Sequence, residues 1–366
     1  MNKKMNEKMV ISGINLFEGG TLSIYYDCLE ELLRKGIHTE KEIIAFVHKS
    51  ELFKEYAEYI TLIELPDSRR GYLRRLWYEY IYFHKFSKEN KIDIWLSLHD
   101  ITPNVQARKI YTYCHNPTPF LMRSVKNFKY SITTTLFSFF YKYLYRINIK
   151  AATAIIVQQE WMRKRFLEMY PIDNVIVAYP KLSKEYNFID KGHKEKQIWI
   201  YPAFPRFFKN FEVIGEAVER LKDLDFEVWF TIDGTENRYS KMIFEKYNHL
   251  PQIKWLGKKT RNEVFQLYEE VSGLIFPSKL ETWGLPISEF KVTNKDIILS
   301  NLPYAHETLG CYSKALFFNP DDSITLSNIL RSVIENNQCY DLTKSKQISP
   351  PFSRGWGELL DLLLSE

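Results

Sequence analysis

The sequence predicts a parallel α/β protein built as two doubly wound units, and three observations carry that expectation. Short runs rich in Val, Ile and aromatic residues alternate with longer amphipathic stretches over most of the chain, the pattern of strands and helices stacked in layers. The 366 residues, 45% hydrophobic with only 14 Gly and 15 Pro, suffice for two full cores and exclude a disordered or low-complexity chain. The alternation breaks once, at the polar, charge-dense stretch Lys181–Lys196, and then restarts.

In the first unit, strands are expected at Met9–Leu16, Glu42–Val47, Tyr59–Leu65, Ile92–Leu98, Lys109–Cys114, Ala152–Gln158 and Asn174–Tyr179, with helices between them. In the second they are expected at Gln197–Tyr201, Phe226–Ile232, Gln252–Leu256, Gly273–Phe276, Asp296–Ser300 and Ala315–Phe318. Helical stretches such as Asn210–Leu221, Asn262–Val271 and Ile324–Asn336 separate these. The tail Trp356–Leu364, after the breaker Pro350-Pro351, repeats apolar residues at helical spacing and must dock on something. The domains expected are therefore residues 1–185, 186–350 and a C-terminal helix within 351–366 that packs back toward the first unit. No internal repeat is visible.

Charge and cysteine usage narrow the class. Cys28, Cys114, Cys311 and Cys339 form no C-x-x-C pair, which suggests neither a zinc site nor a disulfide framework and fits a reducing compartment. The N-terminus has too short an apolar stretch for an export signal, so a cytoplasmic location is expected. Between Leu65 and Lys150 there are fifteen Lys/Arg against five Asp/Glu, interleaved with aromatic rings. Arg69–Phe86 and Phe120–Arg146 are too interrupted by charge to span a bilayer but could lie on one. Arg74, Arg75, Trp77, Phe139 and Phe140 are the membrane-contact candidates, on the inner face of the cell membrane. In the competing reading the rings form the core of the first domain and the cations its solvated face.

Three loops carry residue types suited to chemistry. Gly19-Gly20 follow the first strand and lead into a helix, where a glycine turn and free first-turn amides favour an anion, although a tight turn without ligand has the same sequence. Arg206 and Lys209 lie after the first strand of the second unit, at the carboxyl end where open α/β sheets bind ligands. Cations at a helix start oppose the macrodipole, which points to a ligand rather than to a solvated pair. The third loop follows Phe276 and carries Glu281 and Gly284-Leu285, with Pro286 opening a helix that bears Glu289.

Glu281 and Glu289, separated by seven residues and enclosing Gly-Leu-Pro, resemble the E-x7-E motif of retaining glycosyltransferase family 4, whose members have the two-Rossmann GT-B fold. The resemblance extends to Gly19-Gly20, Lys209-Asn210, Ile232-Asp233-Gly234, Trp255-Leu256-Gly257, Phe276-Pro277-Ser278, Glu307 and the strand-end segment Tyr113-Cys114-His115-Asn116-Pro117. The family's usual arginine, five residues before the lysine, is Phe204 here, and Arg206 stands two residues later. A further departure is Phe290–Asp296, where the family has a small-residue segment containing glycine.

The resemblance implies two Rossmann-like domains facing across a cleft. It also implies retaining, metal-independent transfer of a hexose from a UDP- or GDP-type sugar to a saccharide acceptor, polyprenyl-diphosphate-linked, in O-antigen or capsule assembly. No cofactor or metal is implied beyond the nucleotide-sugar substrate. Lys209 and Arg206 would stabilise the departing diphosphate, Glu281 would orient the sugar, and Gly19, Gly20, Gly284, Leu285 and Glu289 would bind the donor. His115 would contact the donor sugar or place the acceptor, although a strand-end histidine is often simply structural; His99-Asp100 is a weaker candidate. Asp223-Leu224-Asp225 formally reads D-x-D but precedes a strand, as a solvated turn would.

Two alternatives compete. The same fold supports a nucleotide-sugar epimerase or a glycosyl phosphorylase. A nucleic-acid binder would use the basic aromatic surface, but it gives no reason for Glu281 and Glu289, and no nucleic-acid partner is expected.

Overall fold

The computed structural model describes residues 7–120, 140–180, 188–189 and 196–365. They form two compact units, one from residues 7–120, 140–180 and 348–365, the other from 188–189 and 196–347. Apart from Phe188, Ile189 and Lys196, the expected boundary Lys181–Lys196 lies outside the described residues.

The first unit is built on β1 (Lys8–Ser12), β2 (Glu42–Val47), β3 (Thr61–Glu64), β4 (Ile92–Ser97), β5 (Ala107–Cys114), β6 (Ala154–Val157) and β7 (Val175–Tyr179). The second is built on β8 (Gln197–Tyr201), β9 (Phe226–Phe230), β10 (Ile253–Trp255), β11 (Gly273–Phe276), β12 (Asp296–Ser300) and β13 (Ala315–Phe318). A last strand, β14 (Phe352–Arg354), returns to the first sheet. The sheet orders are β14-β7-β6-β5-β4-β1-β2-β3 and β10-β9-β8-β11-β12-β13. Every pairing in both is parallel.

Parallel strands are covered on both faces, which is why they read as unbroken apolar runs. Ile297, Ile298 and Leu299 of β12 are all fully buried. The first strand ends earlier than expected because Leu16 N–H turns back to the Gly13 carbonyl at 2.9 Å. On one face of the first sheet Phe46, Phe83 and Trp95 pack together, with ring centroids 4.8 and 5.0 Å apart for Phe83. On the other lie Leu29, Leu32, Tyr113 and the tail helix Trp356–Leu364.

The tail helix buries Trp356, Leu359, Leu360 and Leu363, the spacing of one helical face. Trp356 stacks on Tyr113 at 5.4 Å, and Lys35 holds Asp361 at 2.6 Å. Strand β14, absent from the sequence reading, pairs with β7 in the register Ser353↔Ala178. Arg163 anchors its approach by donating to the Ser349 carbonyl at 2.8 Å and the Pro351 carbonyl at 3.0 Å.

The rings of the basic, aromatic half divide between core and surface. Tyr78, Phe83, Tyr141 and Tyr145 are core residues, whereas Tyr72, Trp77, Phe140 and Tyr143 are exposed. Among the described residues no helix is long and apolar enough to cross a membrane.

Candidate functional site

A doubly wound sheet reverses its winding beside its first strand, and the loops at the carboxyl ends flanking that reversal splay apart to leave room for a ligand. In the second unit the reversal falls between β8 and β11. The loop after β8 carries Arg206 and Lys209; the loop after β11 carries Glu281 and Gly284.

Lys209 ends a single 3₁₀ turn, Phe207–Lys209. Its ammonium forms a direct, largely buried ion pair with Glu281, so the two loops meet through the two groups the sequence singled out. The backbone beneath is fixed by Asn210, which sits at φ +62° and is 1% exposed. Its amide donates to the Pro277 carbonyl at 3.2 Å and the Pro320 carbonyl at 2.7 Å. Tyr201 adds a hydroxyl donated to the Lys209 carbonyl at 2.7 Å, and burial pushes that phenol well above its ordinary range. Arg206 is exposed, lies 5.9 Å from the Phe208 ring centroid and makes no ion pair among the described residues.

Gly284 caps the helix Leu285–Phe290 at φ +88°, a conformation that favours glycine, and no side chain caps the helix start. Trp283 braces the loop by donating to Ser288 Oγ at 2.9 Å. Glu289, on that helix, receives Arg261 at 2.5 Å. Both line an open cavity of about 230 Å³ whose walls include Phe204, Pro205, Lys258, Tyr268 and Pro286. The β8 loop therefore joins both halves of the site, with Lys209 on Glu281 at one end and Phe204 and Pro205 beside Glu289 at the other. Glu307 is buried away from solvent against Lys346 at 2.9 Å.

In the first unit the reversal falls between β1 and β4. Gly19 opens the helix Gly19–Arg34 at φ +62° on an exposed loop without a side-chain cap. After β4, Asp100 adopts φ +74° and accepts the backbone N–H groups of His115 and Asn116 at 2.8 and 3.0 Å. The loop after β5 is thereby tied to the loop after β4. His99 lies buried with Nδ1 2.7 Å from Glu79, and Arg75 donates to its carbonyl at 2.6 Å.

His115 Nδ1 is buried and has no hydrogen-bond partner among the described residues. Burial holds this imidazole below its ordinary value, with Asp100 opposing the shift. The unfolded chain takes up a proton near pH ~6.5 and the folded one does not. The fold consequently loses stability as pH falls through that value toward the lower native one. His115→Gln removes this contribution, so thermal melts from neutral to mildly acidic pH should fall less steeply for the variant. Parallel slopes would exclude His115 as a source of acid sensitivity; burial also lowers His48 and His306, and these stay in both proteins.

Of the membrane-contact candidates, Arg74, Trp77 and Phe140 are exposed and Phe139 lies outside the described residues. Arg75 is not a surface cation: it is 7% exposed and turned inward to His99 and Tyr141. Asp223 grips Arg331 through both oxygens at 2.8 and 2.9 Å, a structural use of the D-x-D look-alike. Sequence reading gave Asn210 no role of its own and missed Arg261. An Asn directly after the lysine, suited to a left-handed turn, and an Arg opening a helix against its dipole were the available signals.

Comparison with known proteins bears on this site directly. Residues 183–348, which contain the second unit's part of it, match the family model described as Glycosyl transferases group 1. Over 282 residues, 73% of each chain, the sequence is 22% identical to the O-antigen chain mannosyltransferase RfbU of Salmonella typhimurium. A glycosyltransferase from Rickettsia africae superposes with TM-score 0.63 at 17% identity, over 90% of this chain and 89% of that one. The chain has the GT-B fold, and its second unit resembles glycosyl transferases of group 1. The Anabaena protein HepE, solved with UDP and glucose, shares the fold with TM-score 0.60 at 13% identity over 91% of both chains.

Proposed function

We propose that this protein is a glycosyltransferase, a retaining hexosyltransferase. It takes its sugar from a nucleoside-diphosphate donor and passes it to a saccharide carried on a polyprenyl diphosphate, in surface-polysaccharide assembly. The observation that carries the donor reading is the Lys209–Glu281 pair, standing one loop away from the cavity that Glu289 and Arg261 share.

Breaking the glycosidic bond of such a donor builds negative charge on the β-phosphate. A fixed ammonium and uncapped helix-start amides at Gly284 and Leu285 are the groups that stabilise it, with Arg206 free to swing in from solvent. Glu281, held by Lys209, orients the sugar hydroxyls, and Glu289 takes the ribose diol. Phe204, 55% exposed on the cavity wall, offers a ring face for the base. In the first unit we assign the Gly19-Gly20 turn to phosphate and His115 to saccharide recognition. The donor phosphate itself accepts the acceptor's proton, so no separate base is required.

Thermal melts of the full chain with UDP, GDP and ADP test the donor reading. One of them should raise the melting temperature, since a ligand at a hundred times its Kd adds about 2.7 kcal/mol. Glu289→Ala should weaken that nucleotide about tenfold or more by removing a charged hydrogen-bond acceptor. If none of the three shifts the melt, the donor site is refuted. The configuration of the newly formed linkage, read from the anomeric proton by NMR, tests retention, and an inverted product rejects it.

A further inference from the structure

Three loops meet over the carboxyl ends of β1, β2 and β3, the edge of a parallel sheet at which ligands bind. Half-buried Phe17 comes from the loop after β1, buried His48 follows β2 directly, and Ser68 and Arg69 belong to the turn Pro66–Arg69 after β3. The loops are cross-tied. Gly13 N–H donates to the Phe46 carbonyl at 3.0 Å, Leu65 N–H to the Val47 carbonyl at 2.9 Å, and the Ser68 hydroxyl to the Ile14 carbonyl at 2.8 Å. His48 meets Phe17 edge to face, with ring centroids 6.3 Å apart, and its Nδ1 lies 3.4 Å from Ser68 Oγ. Arg69 lies over the Phe17 ring, its guanidinium carbon 3.2 Å from the centroid.

Contact with a ring face holds a guanidinium in place and consumes none of its in-plane N–H donors. Exposed Arg69 makes no ion pair among the described residues, whereas Arg70 and Arg74 share the carboxylate of Asp67 at 3.1 and 3.5 Å. Glu64, at the end of β3, is turned to the Ser50 N–H at 2.7 Å. Burial and Arg69 together hold the His48 imidazole below its ordinary value, so it is uncharged at neutral pH and leaves the positive charge to Arg69. A fixed guanidinium with open donors takes a carboxylate or phosphate through two parallel hydrogen bonds. We propose that Phe17, His48 and Arg69 form a subsite for an oxyanion carried by the acceptor, the carboxylate of a sugar acid or a phosphate of its carrier. A neutral hexose offers only hydroxyls, so the charge of Arg69 separates acidic acceptors from neutral ones. This subsite rests on the saccharide reading of the first unit and gives that saccharide a charge.

The test is ligand-observed NMR titration of the full chain at low salt with methyl glucuronide, methyl glucoside and inorganic pyrophosphate. Binding of the glucuronide but not the glucoside assigns the oxyanion to a sugar acid; binding of pyrophosphate alone assigns it to the carrier. In either case Arg69→Gln should weaken the bound anion about tenfold or more, the loss of one charged hydrogen-bonding partner. Arg69→Lys keeps the charge without the planar fork and should fall in between. Arg69 faces water, so both variants leave folding intact. Phe17→Leu should also weaken the anion, because the guanidinium loses its platform. Anion binding that Arg69→Gln retains in full overturns the proposal, as does a glucoside that binds as well as the glucuronide. Melts with UDP, GDP and ADP on the same samples keep the two readings apart. A nucleotide shift in a chain that binds neither anion overturns the subsite and leaves the donor site standing. A nucleotide shift that Arg69→Gln abolishes moves Arg69 to the donor phosphates and equally overturns it.

Discussion

Replacing Lys209 by methionine is expected to lower kcat by about 10²–10³-fold with the nucleotide that the melts identify, while KM for the donor moves far less. The size follows from what one preorganised donor contributes where charge develops in a transition state. Methionine keeps the aliphatic stem but leaves Glu281 as a largely buried carboxylate without its cation, which costs stability in its own right. The double variant Lys209→Met/Glu281→Gln separates the two effects. Its melting temperature should return toward that of the parent, because no orphaned charge remains, while kcat stays low. A single variant within about threefold of the parent kcat would show that the ammonium serves the fold rather than the departing diphosphate.

How much of this could be read from the sequence depends on whether a residue's role is local. Strands β2, β8, β11, β12 and β13 occupy the residues expected of them, because a strand covered on both faces writes itself as an uninterrupted apolar run. Strand β14 does not. It is three residues long, follows two prolines and exists through Arg163 and the edge of β7. The acidic pair Glu281 and Glu289 was legible because its spacing bridges one loop and one helical turn. Their cations divide: Lys209 was visible in its own loop, whereas Arg261 belongs to a helix 28 residues before Glu289. Arg74 and Arg75 are neighbours in a basic stretch, and composition treats them alike. Only the phase of the helix separates them, with Leu73 and Trp77 outward and Arg75, Tyr78 and Glu79 inward. The inward turn places a guanidinium where a membrane contact was expected.

Asn210 supplies the second large expected effect, since it acts through partners 67 and 110 residues away. Asn210→Ala should lower the stability of the second unit by about 2–4 kcal/mol. Two hydrogen bonds are lost, each contributing about 0.5–1.5 kcal/mol net, and alanine at φ +62° adds about 1 kcal/mol of backbone strain. Asn210→Gly discriminates between these causes, because glycine accepts the left-handed backbone without restoring either hydrogen bond. If the hydrogen bonds dominate, the glycine variant should recover about a quarter to a half of the loss; if the backbone dominates, nearly all of it. Lys209 is the preceding residue, so the same two variants should also weaken the nucleotide in thermal melts, and glycine more than its stability predicts, because the unpinned loop no longer holds the ammonium against Glu281. Full nucleotide affinity in Asn210→Gly would show that Tyr201 and the Glu281 ion pair suffice to fix the loop, leaving Asn210 a purely structural residue.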